Sequence, residues 1–212
     1  MNKIFNHEPP LNCNKCSRLF NYRQSIKIKY PSWHNRPVKS FGSINSKILI
    51  VGLAPGKKGA NRTGRPFTGD GAGETLYHAL IKNKLAFGTY DPNGKDDLKL
   101  ESCRITNLVR CVPPFNKPSA KEFSNCKSYL ANEIERMKKL KIIFTLGRDA
   151  YFTILKLYNL SKSKNNFYHK IKIPLPDNRL LIGSYHCSRY NINTKRLTVK
   201  MFDEAVNELN LI

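Results

Sequence analysis

The sequence predicts an α/β protein: one three-layer α/β/α domain spanning residues 1–212, built on a central, mainly parallel sheet. Three observations carry this. Short apolar runs of strand length alternate with longer, helix-periodic segments, the pattern of strands joined by helical crossovers. One run, Lys47-Ile-Leu-Ile-Val51, opens directly into a glycine- and proline-rich loop from Gly52 to Asp70 and then a helix-like stretch. A chain of 212 residues with 40% hydrophobic content suits one sizeable core and is short for two.

Residues 1–46 are irregular, rich in Asn, Pro and aromatic residues, and read as a segment wrapped onto the core. A strand is expected at 47–52 and a helix at 72–84. Residues 85–100, with Tyr-Asp-Pro-Asn-Gly-Lys-Asp-Asp, read as a turn-rich connection. Cys103 to Val109 alternates well enough for a second strand. Ser119-Ala-Lys-Glu122 is a capping box that opens an amphipathic helix reaching to about Lys139. Ile142 to Leu146 forms a third buried strand and Arg148 to Leu157 a further helix. Two strands, 170–174 and 179–184, flank an Asp177-Asn178 turn, and a last helix runs from Arg196 to Leu209. In such a sheet, ligands sit beyond the carboxyl ends of the strands, where the glycine-rich loop lies.

Charge narrows the partner. Lys plus Arg number 37 against 15 Asp plus Glu, a formal net charge of +22. Such a field draws polyanions, with binding that weakens steeply as salt rises, so nucleic acid is favoured over a membrane surface. The chain has no apolar run of about 18 residues that would span a bilayer. Its first residues lack the apolar core of a signal peptide, so cytoplasmic residence is expected. Six cysteines are then not expected to form structural disulfides.

Four of those cysteines have a ligand-like arrangement. Cys13 and Cys16 form a C-x₂-C pair, and Cys111 and Cys126 supply a second pair, one after a strand and one in the following helix. Four thiolates suit either zinc or an iron–sulfur cluster, and spacing does not separate the two. Cys103 reads as a small buried apolar residue, and Cys187, beside His186 and with no cysteine partner at metal-ligand spacing, reads as a non-ligand.

The glycine-rich loop places Phe67 and Asp70 three residues apart, which suits a pocket that stacks on a flat ring and does chemistry beside it; a nucleotide base is such a ring. Asp70 equally suits an N-cap for the helix that follows. The backbone N–H groups of Gly56 to Gly59 suit a phosphate. Asn61, Arg62 and Arg65 are expected to touch phosphate or line the pocket. Asn107 ends the second strand, and His186 ends a strand ahead of a polar loop, both sites where catalytic groups gather.

The stretch Gly52-Leu-Ala-Pro-Gly to Gly59-Ala-Asn-Arg-Thr-Gly-Arg-Pro-Phe-Thr-Gly-Asp70 closely resembles the first motif of the family 5 (type b) uracil-DNA glycosylases. Three further segments agree with that family: Trp33-His-Asn-Arg-Pro-Val38, Ile105-Thr-Asn-Leu-Val-Arg-Cys-Val-Pro-Pro114, and His186-Cys-Ser-Arg-Tyr-Asn-Ile-Asn-Thr-Lys-Arg-Leu-Thr198. The resemblance implies the uracil-DNA glycosylase fold and hydrolysis of the N-glycosidic bond of uracil in DNA. It further implies a structural [4Fe–4S] cluster on Cys13, Cys16, Cys111 and Cys126. Phe67 would stack on the flipped base, with Gly52 and Ala54 in the base-binding wall. His186 would stabilise the leaving uracil anion, while Asp70 and Asn107 assist water, cation or base. Ser188, Arg189, Tyr190 and Asn191 would contact DNA, probing the minor groove or filling the gap left by the flipped base.

Ala54 stands where several other glycosylase families carry a water-positioning acid or amide. The roomier pocket that follows extends the expected substrates to hypoxanthine, xanthine and etheno-cytosine. Cys187 and Lys195 depart from the family pattern, Lys195 replacing a glycine. The expected partner is DNA containing uracil or another deaminated base, met by a monomer. The rival reading is a non-catalytic iron–sulfur DNA-binding scaffold.

Overall fold

A strand whose two faces are both covered has no need of polar alternation, and the run Ile48–Gly52 is buried at every position. In the computed structural model, which describes residues 6–210, this run is β1 and lies inside a five-stranded sheet. The elements in chain order are α1 (Ser17–Lys29), β1 (Ile48–Gly52), α2 (Ala60–Thr63), α3 (Gly71–Lys82), β2 (Ala86–Phe87), β3 (Lys99–Leu100), β4 (Cys103–Asn107), α4 (Ala120–Arg136), β5 (Ile142–Leu146), α5 (Arg148–Leu157), β6 (Ile171–Pro174), β7 (Leu180–Ser184), α6 (Arg189–Asn193) and α7 (Val199–Asn207). The strand order is β4-β1-β5-β7-β6, parallel except for the antiparallel edge strand β6. Since β1 pairs with β4 on one side and β5 on the other, the order reverses at β1, and the loop leaving β1 sits at that switch point.

The period-2 geometry of β1 divides the core. Ile48 and Ile50 pack with Leu76, Leu80, Phe144 and Phe202, under α3 and α7. Leu49 and Val51 pack with Leu130, Ile134, Ile143 and Ile154, under α4 and α5. A smaller cluster joins Leu19 of α1 to Val109, Cys111, Cys126 and Tyr129. No helix among the described residues is long and apolar enough to cross a membrane.

Three elements differ from expectation. The segment read as irregular contains the 13-residue helix α1. Its buried stripe is only Leu19, Arg23 and Ile26, and its N-cap Cys16 makes no side-chain cap bond, so neither periodicity nor capping announces it. Residues 85–100 hold a short antiparallel pair, β2 with β3. The expected final helix is α7, capped by Thr198, and a short helix not expected there, α6, capped by Ser188, precedes it, with Lys195 between them at φ 57°. A left-handed residue there ends the first helix, and at the position where the family carries glycine Lys195 bears the steric penalty itself.

Four charged side chains lock the N-terminal segment to the sheet. Arg104 Nε donates to Glu133 Oε1 at 2.6 Å and Arg110 Nη2 to Glu133 Oε2 at 2.6 Å. The same guanidiniums reach Glu8, at 2.9 Å from Arg104 and 3.2 Å from Arg110. Two cations face two carboxylates, so the group is neutral as a whole, which is what makes its burial tolerable.

Candidate active site

The carboxyl ends of β1, β4 and β7 open on a cavity of about 760 Å³, lined among others by Ala54, Phe67, Asp70, Asn107, His186 and Tyr190. Phe67 is turned into it by backbone in the left-handed region, φ 54°, a conformation a bulky residue holds only when its surroundings enforce it. The enforcement is visible. Gly73 abuts the Phe67 carbonyl so closely that a Cβ would lie 1.6 Å from the oxygen, and the buried Tyr77 hydroxyl donates to Pro66 O at 2.6 Å. The Phe67 ring rests on Gly52, where a Cβ would come within 2.5 Å of its Cζ and 2.6 Å of Asn107 Oδ1. Glycine at position 52 is thus what lets ring and amide settle against the strand end.

Asp70 does two things with one carboxylate. Oδ1 accepts from the backbone N–H groups of Ala72 at 3.1 Å and Gly73 at 3.2 Å, capping α3. Oδ2 accepts no bond from a described residue and lies against the bare backbone of Gly56 and Gly59, where added Cβ atoms would sit 3.0 and 2.4 Å from it. The cap fixes the side chain, and the second oxygen is left to the cavity. Asn107, 3% exposed, likewise spends its amide on no described residue.

His186 follows β7 and stacks on Phe67 with ring centroids 5.9 Å apart and an interplanar angle of 28°. Desolvation pushes its pKa below the ordinary histidine value, opposed in part by the charge of Asp70, so the imidazole is neutral at neutral pH. Its position is pinned from both sides: Asn191 Nδ2 donates to His186 O at 2.8 Å, and Cys187 Sγ donates to Ala72 O at 3.4 Å. Cys187 is fully buried among apolar residues, packed as they are.

Of the residues expected to contact DNA, Ser188, Arg189 and Tyr190 line the cavity. The structure does not bring Asn61, Arg62, Arg65 or Asn191 to it. Asn61 is buried and donates to Asn35 Oδ1 at 3.0 Å. Arg62 spends its guanidinium on Lys58 O, Pro92 O and Asn93 Oδ1, each at 2.9 Å. Arg65 forms a two-point ion pair with Asp96, both contacts at 2.6 Å, under the rings of Phe41, Tyr77 and Tyr90. That pair holds the Asp96 carboxyl down to about 2. These side chains build the loop instead of offering it to phosphate.

Cys13, Cys16, Cys111 and Cys126 line one small second cavity with Leu19, Arg23 and Tyr129. No three His, Cys, Asp or Glu side chains among the described residues converge as they would on a single metal ion. Sequence reasoning missed Lys58, Glu74, Pro92 and Asn116, which also line the active-site cavity. Lys58 lies inside the Gly56 to Gly59 stretch already singled out for a phosphate; for Glu74, Pro92 and Asn116 no local pattern pointed to the site, and Pro92 reaches it only because its turn folds back onto the glycine-rich loop.

A family model described as the uracil DNA glycosylase superfamily matches residues 39–210. The type-5 uracil-DNA glycosylase of Thermus thermophilus is 40% identical over 202 residues, covering 92% of this chain and 91% of the relative. That of Pyrobaculum aerophilum is 37% identical, covering 92% and 87%. A type-4 uracil-DNA glycosylase of Saccharolobus solfataricus is 32% identical over 152 residues, 69% of this chain and 63% of the relative. With the cavity at the switch point of its parallel sheet and similarity along nearly its whole length, the chain belongs to the uracil-DNA glycosylase superfamily and, within it, to the type-5 enzymes.

Proposed function

We propose that the protein hydrolyses the N-glycosidic bond of uracil in DNA and leaves an abasic site. The observation that carries this is the convergence on one cavity of an aromatic face, a carboxylate oxygen and an amide with no partner among the described residues, and an imidazole that burial keeps neutral. A base inside a duplex is out of reach of such a cavity, so the nucleotide is extruded into it. The Phe67 ring then stacks on the base and Asn107 hydrogen-bonds its edge. As the glycosidic bond breaks, negative charge develops on the uracil oxygen and positive charge on the sugar. Neutral His186 donates a hydrogen bond to the forming anion, a donor already in place and needing no reorganisation. Asp70 Oδ2 faces the opposite charge, stabilising the oxocarbenium-like sugar or orienting the water that attacks it. No lysine is assigned as a nucleophile, so strand cleavage by β-elimination is not part of the reading.

Cys13, Cys16, Cys111 and Cys126 are the residues that would hold a [4Fe–4S] cluster. The four thiols line one cavity, and Arg23, on the same cavity, has a buried Nε without a partner among the described residues, a donor suited to an anionic group. When bound, the cluster supplies iron–thiolate bonds that cross-link the N-terminal segment to the loop after β4 and to α4. The small Ala54 and the size of the cavity support hypoxanthine, xanthine and etheno-cytosine as further substrates. The protein acts on DNA as a cytoplasmic monomer in this reading. A non-catalytic scaffold would have no use for an aligned Phe67, Asp70, Asn107 and His186.

The test is release of an abasic site, read by alkaline cleavage of end-labelled DNA carrying one U·G, U·A or I·T pair. Wild type cleaves at uracil, and His186→Ala is slower by about 10²-fold, the loss typical for removing one such donor. Cleavage at U but none at I restricts the substrate range to uracil. No cleavage by protein with its cluster intact favours the scaffold. The pH profile carries a sign. The ring carries an N–H donor whether neutral or charged, and burial holds its ionisation below the ordinary histidine range, so activity does not fall as pH drops through that range. A half-maximum at or above about pH 6.5, the unperturbed histidine value, contradicts this.

A further inference from the structure

Phe115 is 92% exposed, the most exposed of the large hydrophobic side chains named among the described residues. It is also held in the left-handed region, φ 55° and ψ 21°, and so is its neighbour Asn116, φ 55°. Two consecutive non-glycine residues with positive φ are costly, and a water-exposed phenyl ring adds a second unfavourable term. The turn is nevertheless held: Asn116 N–H donates to Pro113 O at 3.3 Å and Lys117 N–H to Pro114 O at 3.1 Å. Its start is anchored at the buried Cys111 and Val112, and its end at the capping box of α4. Asn116 lines the active-site cavity together with Tyr190, which is 74% exposed. Exposed Lys117 and Lys121 follow Phe115 in the chain, and Arg189 adjoins Tyr190.

Resting on the proposed action on DNA, we infer that Phe115 is an apolar wedge that enters the base stack of duplex DNA beside the extruded nucleotide. An exposed aromatic side chain on a hydrogen-bonded turn whose next residue, Asn116, lines the cavity, among cations that meet phosphate, has the chemistry of an intercalating wedge. Its ring takes up the stacking surface that the departing base vacates, and the strained turn delivers it without further ordering. Tyr190, on α6 at the same cavity, is a second rigid aromatic in position to share the task. The occupant is a duplex: a single strand, with no base pair to break, unstacks at little cost and makes little demand on the wedge.

The experiment compares wild type, Phe115→Ala and Phe115→Leu on single-stranded and duplex U·G DNA under single-turnover conditions. Phe115→Ala lowers duplex excision by about 10- to 100-fold, the scale of assistance in unstacking a base. It changes single-strand excision less than about 3-fold, and Phe115→Leu restores much of the duplex rate because an aliphatic wedge also parts a stack. A second readout needs no excision. 2-Aminopurine placed next to the uracil brightens when wild type binds, as stacking is lost, and stays quenched with Phe115→Ala. Unchanged duplex excision, or equal losses on both substrates, overturns the wedge. Wild type inactive on both substrates overturns the glycosylase reading, and the fluorescence then decides the wedge separately. The exposed ring supports no core, so the melting temperatures of the variants stay at the wild-type value.

Discussion

Asp70→Asn lowers uracil excision by about 10²- to 10³-fold while leaving thermal stability nearly unchanged. The separation follows from how the carboxylate is divided. Oδ1 caps α3 through the N–H groups of Ala72 and Gly73, and an asparagine carbonyl oxygen caps a helix about as well. In the proposed reaction Oδ2 is the atom that faces the sugar and water, and asparagine replaces it with a neutral NH₂ that neither stabilises a cation nor accepts a proton from water. Asp70→Ala removes both functions and adds a stability loss of about 1 kcal/mol for the missing cap. Single-turnover rates on uracil DNA, with melting curves of the same preparations, read the two effects apart. If Asp70→Asn keeps most of its activity, the free oxygen is not catalytic and the residue is a helix cap alone.

Glu133→Ala destabilises the protein by about 3–5 kcal/mol, the range for breaking a buried ion pair from one side. Glu133 has no solvent exposure and takes one guanidinium on each oxygen, Arg104 on Oε1 and Arg110 on Oε2. Removing it leaves both cations buried with only the partly exposed Glu8 to share. Glu133→Gln keeps the volume and one acceptor and loses less. Burial alone would raise the Glu133 pKa, but Arg110 and Arg104 outweigh burial and hold it below the usual value. A depressed carboxylate pKa stabilises the fold above the unfolded-state pKa, and this is lost as pH falls through the folded-state value. Urea unfolding of the intact protein at pH 7 and at pH 4 therefore shows the wild-type advantage over Glu133→Gln shrinking on acidification. An unchanged unfolding midpoint in Glu133→Ala overturns the assignment.

What was legible in the sequence was whatever neighbouring residues decide. Ile142–Leu146 and Arg148–Leu157 follow from an apolar run and a helical period, and the structure has both at those bounds. The Ser119 capping box stands as written, because a cap is made within four residues. Phe67 and Asp70 were identifiable for the same reason, being set by one loop at a strand's carboxyl end. The unreadable part lay in distant partners. Arg65 looks like a phosphate ligand until Asp96, 31 residues on, is seen to hold it, and Asn61 is occupied by Asn35, 26 residues back. Helix α1 has too narrow an apolar stripe to show a period, and it forms because tertiary contacts cover that stripe. Sequence thus determined the architecture, the family and the residue types at the reactive end of the sheet, since backbone propensity and hydrophobic period act over a few residues. Which arginines were free, and which aromatic was left exposed, was settled by folding, since charge pairing and burial act through space between segments the chain holds far apart.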